Sequence, residues 1–142
     1  MDLKQYKDHF ILMVEAGFIA VNQADEDSAL KLFKASEMID PQNLLPKVGM
    51  GYMHLCKLEL KQACKVFEDV LAKDPNNEMA RAFLGLSLSL NPTEIVKGEK
   101  ILEESASKAK DPMVKSLASS AMDFVNKFVK KTPTPTQGQP KK

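Results

Sequence analysis

The residue types able to do metal or nucleophile chemistry are few in this 142-residue chain: His9 and His54 are its only histidines, Cys56 and Cys64 its only cysteines. These four match no zinc spacing, and on a helix His54 and Cys56 would turn to different faces. Surface histidine and packed cysteine are the reading, with no metal and no cofactor. Asp25-Glu26-Asp27 and Glu103-Glu104 bring carboxylates together, as general acid and base work requires. Asp25 to Asp27 sit where a helix should begin, so they read instead as caps favoured by the helix dipole, and Glu103-Glu104 as a solvated face. Gly17, Gly51 and Gly85 stand singly within helices rather than in a phosphate-cradling loop or a nucleophile elbow. The expectation is a protein without catalysis.

With chemistry thin, the elements themselves carry the information. The chain has 44% hydrophobic and 27% charged residues, 20 Lys+Arg against 19 Asp+Glu, no tryptophan, 6% aromatics and eight methionines. That balance argues against disorder throughout and against a nucleic-acid field, and it suits helices packed through small and flexible side chains. The longest apolar stretch, Phe10 to Val21, is interrupted by Glu15 and is too short to span a bilayer. Met1 is followed by Asp2, Lys4, Lys7 and Asp8, which predicts no secretory leader and, with only two cysteines, a cytoplasmic setting.

Sliding the sequence along itself exposes a repeat. At a shift of 34 residues Gly17, Gly51 and Gly85 coincide, as do Ala29 with Ala63, Phe33 with Phe67, Asp40 with Asp74 and Pro41 with Pro75. A fixed period in this range means stacked supersecondary units, each unable to bury its apolar face alone. The period and the small and large positions resemble the tetratricopeptide repeat (TPR), which implies an all-α solenoid of three helix-turn-helix units. These would be residues 10–43, 44–77 and 78–112, with 1–9 extending the first helix. In the third unit Asn91-Pro92 adds a residue to the turn, so Gly98 and Leu102 take the Ala and Phe places one position late. The large aromatic usual early in the first helix is replaced by Met13, Lys47 and Arg81, and the later tyrosine by Ala20, His54 and Leu88.

Residues 113–131 place Met113, Leu117, Ala121, Phe124, Val125 and Phe128 at helical spacing, which predicts a capping helix over the last unit. Residues 132–142, rich in Thr and Pro, have no apolar side chain to offset ordering entropy and are expected to be disordered. Lys127, Lys130, Lys131, Lys141 and Lys142 read as a solubilising end, not a nucleic-acid contact.

In the TPR family the first helices line a concave groove. By resemblance the groove residues here are Ile11, Val14, Phe18 and Val21; Leu45, Val48, Tyr52 and Leu55; and Met79, Ala82 and Leu86. At about 40 Å² exposed apiece they would form a patch of roughly 440 Å², large enough to mark a binding surface. The first helix is apolar around its circumference, so it must be covered on more than one face. Val14, Phe18, Val48 and Tyr52 stand where carboxylate-clamp TPRs present Lys and Asn, so the expected ligand is an amphipathic helix or an extended apolar peptide. Met13, Met50 and Met79 add adaptable surface for it.

Among small three-repeat TPR proteins the chain resembles the cytoplasmic chaperones of bacterial type III secretion, over about residues 3 to 130. Repeat number, length, the capping helix and the apolar groove carry the resemblance, and the short lead before the first repeat favours the needle-subunit branch. The resemblance implies that the groove holds the C-terminal amphipathic helix of a needle-type subunit, preventing premature polymerisation in the cytosol. It also implies a second small co-chaperone on the N-terminal repeat. Two alternatives stand beside it: a chaperone of hydrophobic translocators, and a scaffold that homodimerises through its apolar first helix.

Overall fold

The computed structural model of the chain describes residues 3 to 130. A 3-10 helix, Leu3–His9, leads into seven α-helices: α1 (Phe10–Asn22), α2 (Glu26–Ile39), α3 (Leu45–Cys56), α4 (Leu60–Lys73), α5 (Glu78–Ser89), α6 (Ile95–Lys108) and α7 (Pro112–Phe124). A π-helical turn, Val125–Val129, follows. No strand occurs among the described residues, and the fold is all-α. The tail 132–142, together with Met1, Asp2 and Lys131, lies outside the described residues. The lead before Phe10 does not continue α1 as α-helix: its polar run winds more tightly, as 3-10 helix, and packs on α1 and α2. The segment from Met113 to Val129 likewise is not one uniform helix, because the α-helical ladder gives way to wider turns at Val125.

The helix ends follow from individual side chains. Asp25 accepts a hydrogen bond from the Ser28 backbone N–H at 3.1 Å and starts α2. Asn77 does the same for α5 through Ala80 at 3.0 Å, and Asp111 for α7 through Met113 at 2.9 Å, with Pro112 in the first turn. At the other end of α1, Asp25 N–H reaches Ala20 O and Ala24 N–H reaches Val21 O; at the end of α3, Glu59 reaches His54 and Leu58 reaches Leu55. Both are Schellman closures, with Ala24 (φ 59°) and Leu58 (φ 58°) in the left-handed position that usually goes to glycine. One period later stands Pro92, whose ring fixes φ near −65° and forbids that closure. The third turn is rebuilt around Asn91, whose Oδ1 accepts from Thr93 N–H at 3.2 Å and its hydroxyl at 3.0 Å, which accounts for the extra residue there.

Three hairpins, α1–α2, α3–α4 and α5–α6, repeat one packing device. The Phe33 ring fills the space beside Gly17, where a Cβ would lie 2.5 Å from its Cε1, and Phe67 fills the space beside Gly51 at the same distance. Phe33 is also pressed against Gly49 of the next hairpin, so one ring serves two helix contacts. In the third hairpin Leu102 replaces the ring, and α5 and α6 close in until a Cβ on Gly98 would collide with Ser89 and the Gly85 carbonyl. Phe33, Phe67 and Leu102 are fully buried, and each buried side chain of this size contributes roughly 1.5–3 kcal/mol by transfer from water.

α1, α3, α5 and α7 lie side by side, with α2, α4 and α6 packed behind them. Aromatic rings tie the hairpins together. Phe18 meets Phe33 edge-on at 5.5 Å and Tyr52 at 5.5 Å; Tyr52 meets Phe83 at 5.3 Å, and Phe83 stacks on Phe67 at 5.6 Å. Such pairs add about 0.5–1.5 kcal/mol each beyond area burial. The row of front helices forms one wall of the molecule.

Candidate functional site: an apolar groove across four helices

The front helices enclose an open groove of about 720 Å³. α1 contributes Ile11, Val14, Glu15, Phe18, Ile19 and Asn22; α3 contributes Leu45 and Tyr52; α5 contributes Met79 and Phe83; α7 contributes Met113, Val114 and Leu117. Helical spacing puts Ile11, Glu15, Ile19 and Asn22 on one stripe of α1, and Met113 and Leu117 face them from α7 at i, i+4. Ile11, Ile19 and Met113 are 51%, 56% and 72% exposed, a concentration of bare apolar surface on opposite lips. Apolar walls with a few fixed polar groups are the usual chemistry of a binding cleft.

The polar groups are few and well placed. The Tyr52 hydroxyl donates to Asn22 Oδ1 at 2.5 Å, joining α1 to α3 across the groove. Burial, and then a hydrogen bond with Cys56, pushes the Tyr52 phenol up to about 12, so it stays a neutral donor at any physiological pH. Glu15 is the one charged residue of the lining.

Of the residues anticipated for the groove, Ile11, Val14, Phe18, Leu45, Tyr52 and Met79 are brought together there, Val14 as nearly covered floor. The others are elsewhere. Val48 has no exposed surface and packs in the core with Phe67 and Phe83; Leu55 and Ala82 are also buried. Val21 lines a separate cleft of about 140 Å³ beside Met53 and Cys56, and Leu86 is wedged between the Phe83 and Leu102 clusters. The reason is geometric: α3 is flanked by α1 and α5 and backed by α2 and α4, so only Leu45 and Tyr52 of its expected positions reach the open side. Of the expected methionines Met79 faces the groove, Met13 is half-buried, and Met50 lines a different cleft of about 490 Å³ with Lys47 and His54. α1 is not covered all round, since Leu12 is 61% exposed outside the groove.

Glu15, Ile19, Asn22, Phe83, Met113, Val114 and Leu117 also line the groove, at positions outside the expected repeat register. The apolar stripe of α7, with Met113 and Leu117 at i, i+4, predicts a covering helix and does not disclose that these two side chains also face the groove. A further cleft of about 820 Å³ lies between the α2–α3 and α4–α5 connections, but Gln42, Asn43, Lys73, Asp74 and Asn77 make it a polar surface.

Some of the acidic and titratable groups hold helix ends. Lys57 pairs with Glu26 at 2.9 Å and Glu59 at 3.0 Å, and Glu59 also meets His54 Nδ1 at 3.1 Å. His54 first, then Lys57, holds the Glu59 carboxyl below its ordinary range. Hydrogen bonds from Ser28 do the same for Asp25. Cys56 and Cys64 are free thiols, and burial pushes Cys64 up. Among the described residues no group of His, Cys, Asp or Glu is arranged to hold a metal, and no helix is long and apolar enough to cross a membrane.

Compared with protein-family models, with curated proteins and with solved structures, the chain gives no match.

Proposed function

We propose that this chain is a non-catalytic TPR-type solenoid whose groove captures the apolar face of an amphipathic helix from another protein. The observation that supports it is the groove itself: an apolar trough across α1, α3, α5 and α7, bordered by exposed Ile11, Ile19 and Met113. Helix-in-groove recognition uses anchors at i, i+3, i+4 and i+7, and a trough that runs over several parallel ridges accepts them. The 34-residue recurrence of the Gly17–Phe33 and Gly51–Phe67 contacts, with Gly85–Leu102 displaced by one residue, supports the solenoid reading.

With the resemblance to type III secretion chaperones, the reading becomes specific. The occupant is then the polymerising helix of a secreted needle-type subunit, held monomeric in the cytosol until release. Exposed Leu12 and Met38 of the first repeat, outside the groove, are apolar contacts available to a second small co-chaperone. The test is a polymerisation assay with a purified needle-type subunit. Equimolar chain should suppress the light-scattering rise, and Ile19→Glu with Met113→Glu should abolish suppression while helical circular dichroism and the melting temperature hold. Suppression by the doubly substituted chain would sink the proposal. Val48 is unsuited to such a test, because it is fully buried and a charge there would unfold the protein.

A further inference from the structure

Glu15 sits between Ile11 and Ile19 on the same stripe of α1, and all three line the groove. Its neighbours along the stripe are more than half exposed, and its own side chain is exposed. The carboxylates that hold the fold are paired: Glu26 and Glu59 with Lys57, Glu37 with Lys47, Glu78 with the backbone N–H groups of Lys110 and Asp111, Glu99 with Lys130. The Glu15 carboxylate makes no ion pair or hydrogen bond with any described residue. Asn22, the other polar group of the stripe, already accepts from Tyr52.

This placement constrains what can fill the groove. An occupant that covers Ile11 and Ile19 must also cover Glu15, because the carboxylate stands between them. Removing a charge from water without a partner costs far more than an exposed ion pair returns. An occupant that is apolar throughout would therefore be rejected, whereas one carrying a cation at that point turns the penalty into a charge-assisted contact in a partly dry setting. Resting on the helix-capture reading above, we infer that Glu15 is the specificity residue of the groove and selects a partner helix bearing a lysine or arginine at the border of its apolar stripe. Apolar contact then supplies affinity, and Glu15 fixes register and direction by excluding helices that place an acid there.

The probes are synthetic amphipathic helices that share one leucine stripe and differ in a single bordering residue, Lys, Gln or Glu, walked through each border position. Their binding to the full chain is read by fluorescence anisotropy. At a border position matched to Glu15 the Lys peptide should bind about tenfold tighter than the Gln peptide, equivalent to about 1.4 kcal/mol, and the Glu peptide more weakly than both. The preference should vanish in Glu15→Gln, reverse in Glu15→Lys, and shrink with added salt. Binding of all three peptides with equal affinity at every position overturns the role of Glu15 while leaving the groove intact. So does a preference that survives in Glu15→Gln. If no peptide binds at all, the groove reading fails, and the role of Glu15 with it.

Discussion

The ring of Phe33 occupies the place a side chain at Gly17 would need, its Cε1 atom 2.5 Å from where that Cβ would lie. The ring has little room to retreat, because the same Cε1 edge is also pressed against Gly49. Gly17→Ala should therefore lose stability despite the better helix propensity of alanine. Overpacking of roughly 1–3 kcal/mol exceeds a propensity gain of at most about 1 kcal/mol. Urea unfolding should show a loss of about 1–2 kcal/mol, with part of it regained when Phe33→Leu is added. Additive losses in the double variant would show that the two sites do not touch energetically.

The left-handed closures after α1 and α3 point the other way. Leu58 holds φ at 58° and is 69% exposed, so glycine there removes backbone strain without losing core contact. Leu58→Gly should raise the unfolding free energy by about 0.5–1 kcal/mol, and Ala24→Gly should act in the same direction. A lowered urea midpoint for Leu58→Gly would show that the turn draws its stability from the leucine side chain instead.

These two positions show what is readable from the chain and what is not. Gly17 and Phe33, and their counterparts one period on, disclose the hairpins because close approach requires one small and one large partner at fixed spacing. The added residue at Asn91-Pro92 is also legible, although its cause, a proline where φ must be positive, emerges only with Ala24 and Leu58 in view. The groove is half legible. Ile11, Phe18, Leu45, Tyr52 and Met79 follow from assigning the same register to every first helix. Val48, Leu55 and Ala82 depart from it because a helix with neighbours on three sides buries positions that the edge helix α1 leaves open. Met113 and Leu117 were hidden for the converse reason: α7 both covers the last hairpin and forms the far lip, and an amphipathic pattern records one buried stripe without saying what faces the other.

Ser105 is buried in α6, and its hydroxyl has no hydrogen-bond partner among the described residues. Its counterpart in the first hairpin, Ser36, donates to Leu32 O at 2.7 Å. Ser105→Ala should stabilise by about 1 kcal/mol, since an unsatisfied buried hydroxyl carries its desolvation cost with no return. Ser36→Ala should be neutral or destabilising. Thermal unfolding of the two variants side by side tests the contrast; equal shifts would contradict it.

Glu78 links the start of α5 to the start of α7 by accepting N–H bonds from Lys110 at 2.8 Å and Asp111 at 3.0 Å. The Lys110 N–H first, then that of Asp111, lowers its carboxyl below the ordinary range. A carboxylate depressed in the folded state contributes stability that is present above its unfolded pKa, about 4.3, and is lost as pH falls through the folded value. The urea midpoint of the native chain should fall on acidification below about pH 4.3. In Glu78→Gln this contribution should be absent at neutral pH and the acid slope shallower. Parallel pH profiles for the two proteins would remove Glu78 from the account.

The central claim is that the groove between α1 and α7 is where a helix docks, and methionine methyl NMR tests it most directly. Met79 and Met113 line the groove, Met50 lines the cleft beside Lys47, and Met38 is 63% exposed without lining the groove. On titration with a leucine-stripe amphipathic peptide bearing a border lysine, the Met79 and Met113 methyl signals should shift and saturate together while Met38 and Met50 stay in place. Shifts confined to Met50 or Met38, or no saturable shift at Met79 and Met113, would contradict the claim.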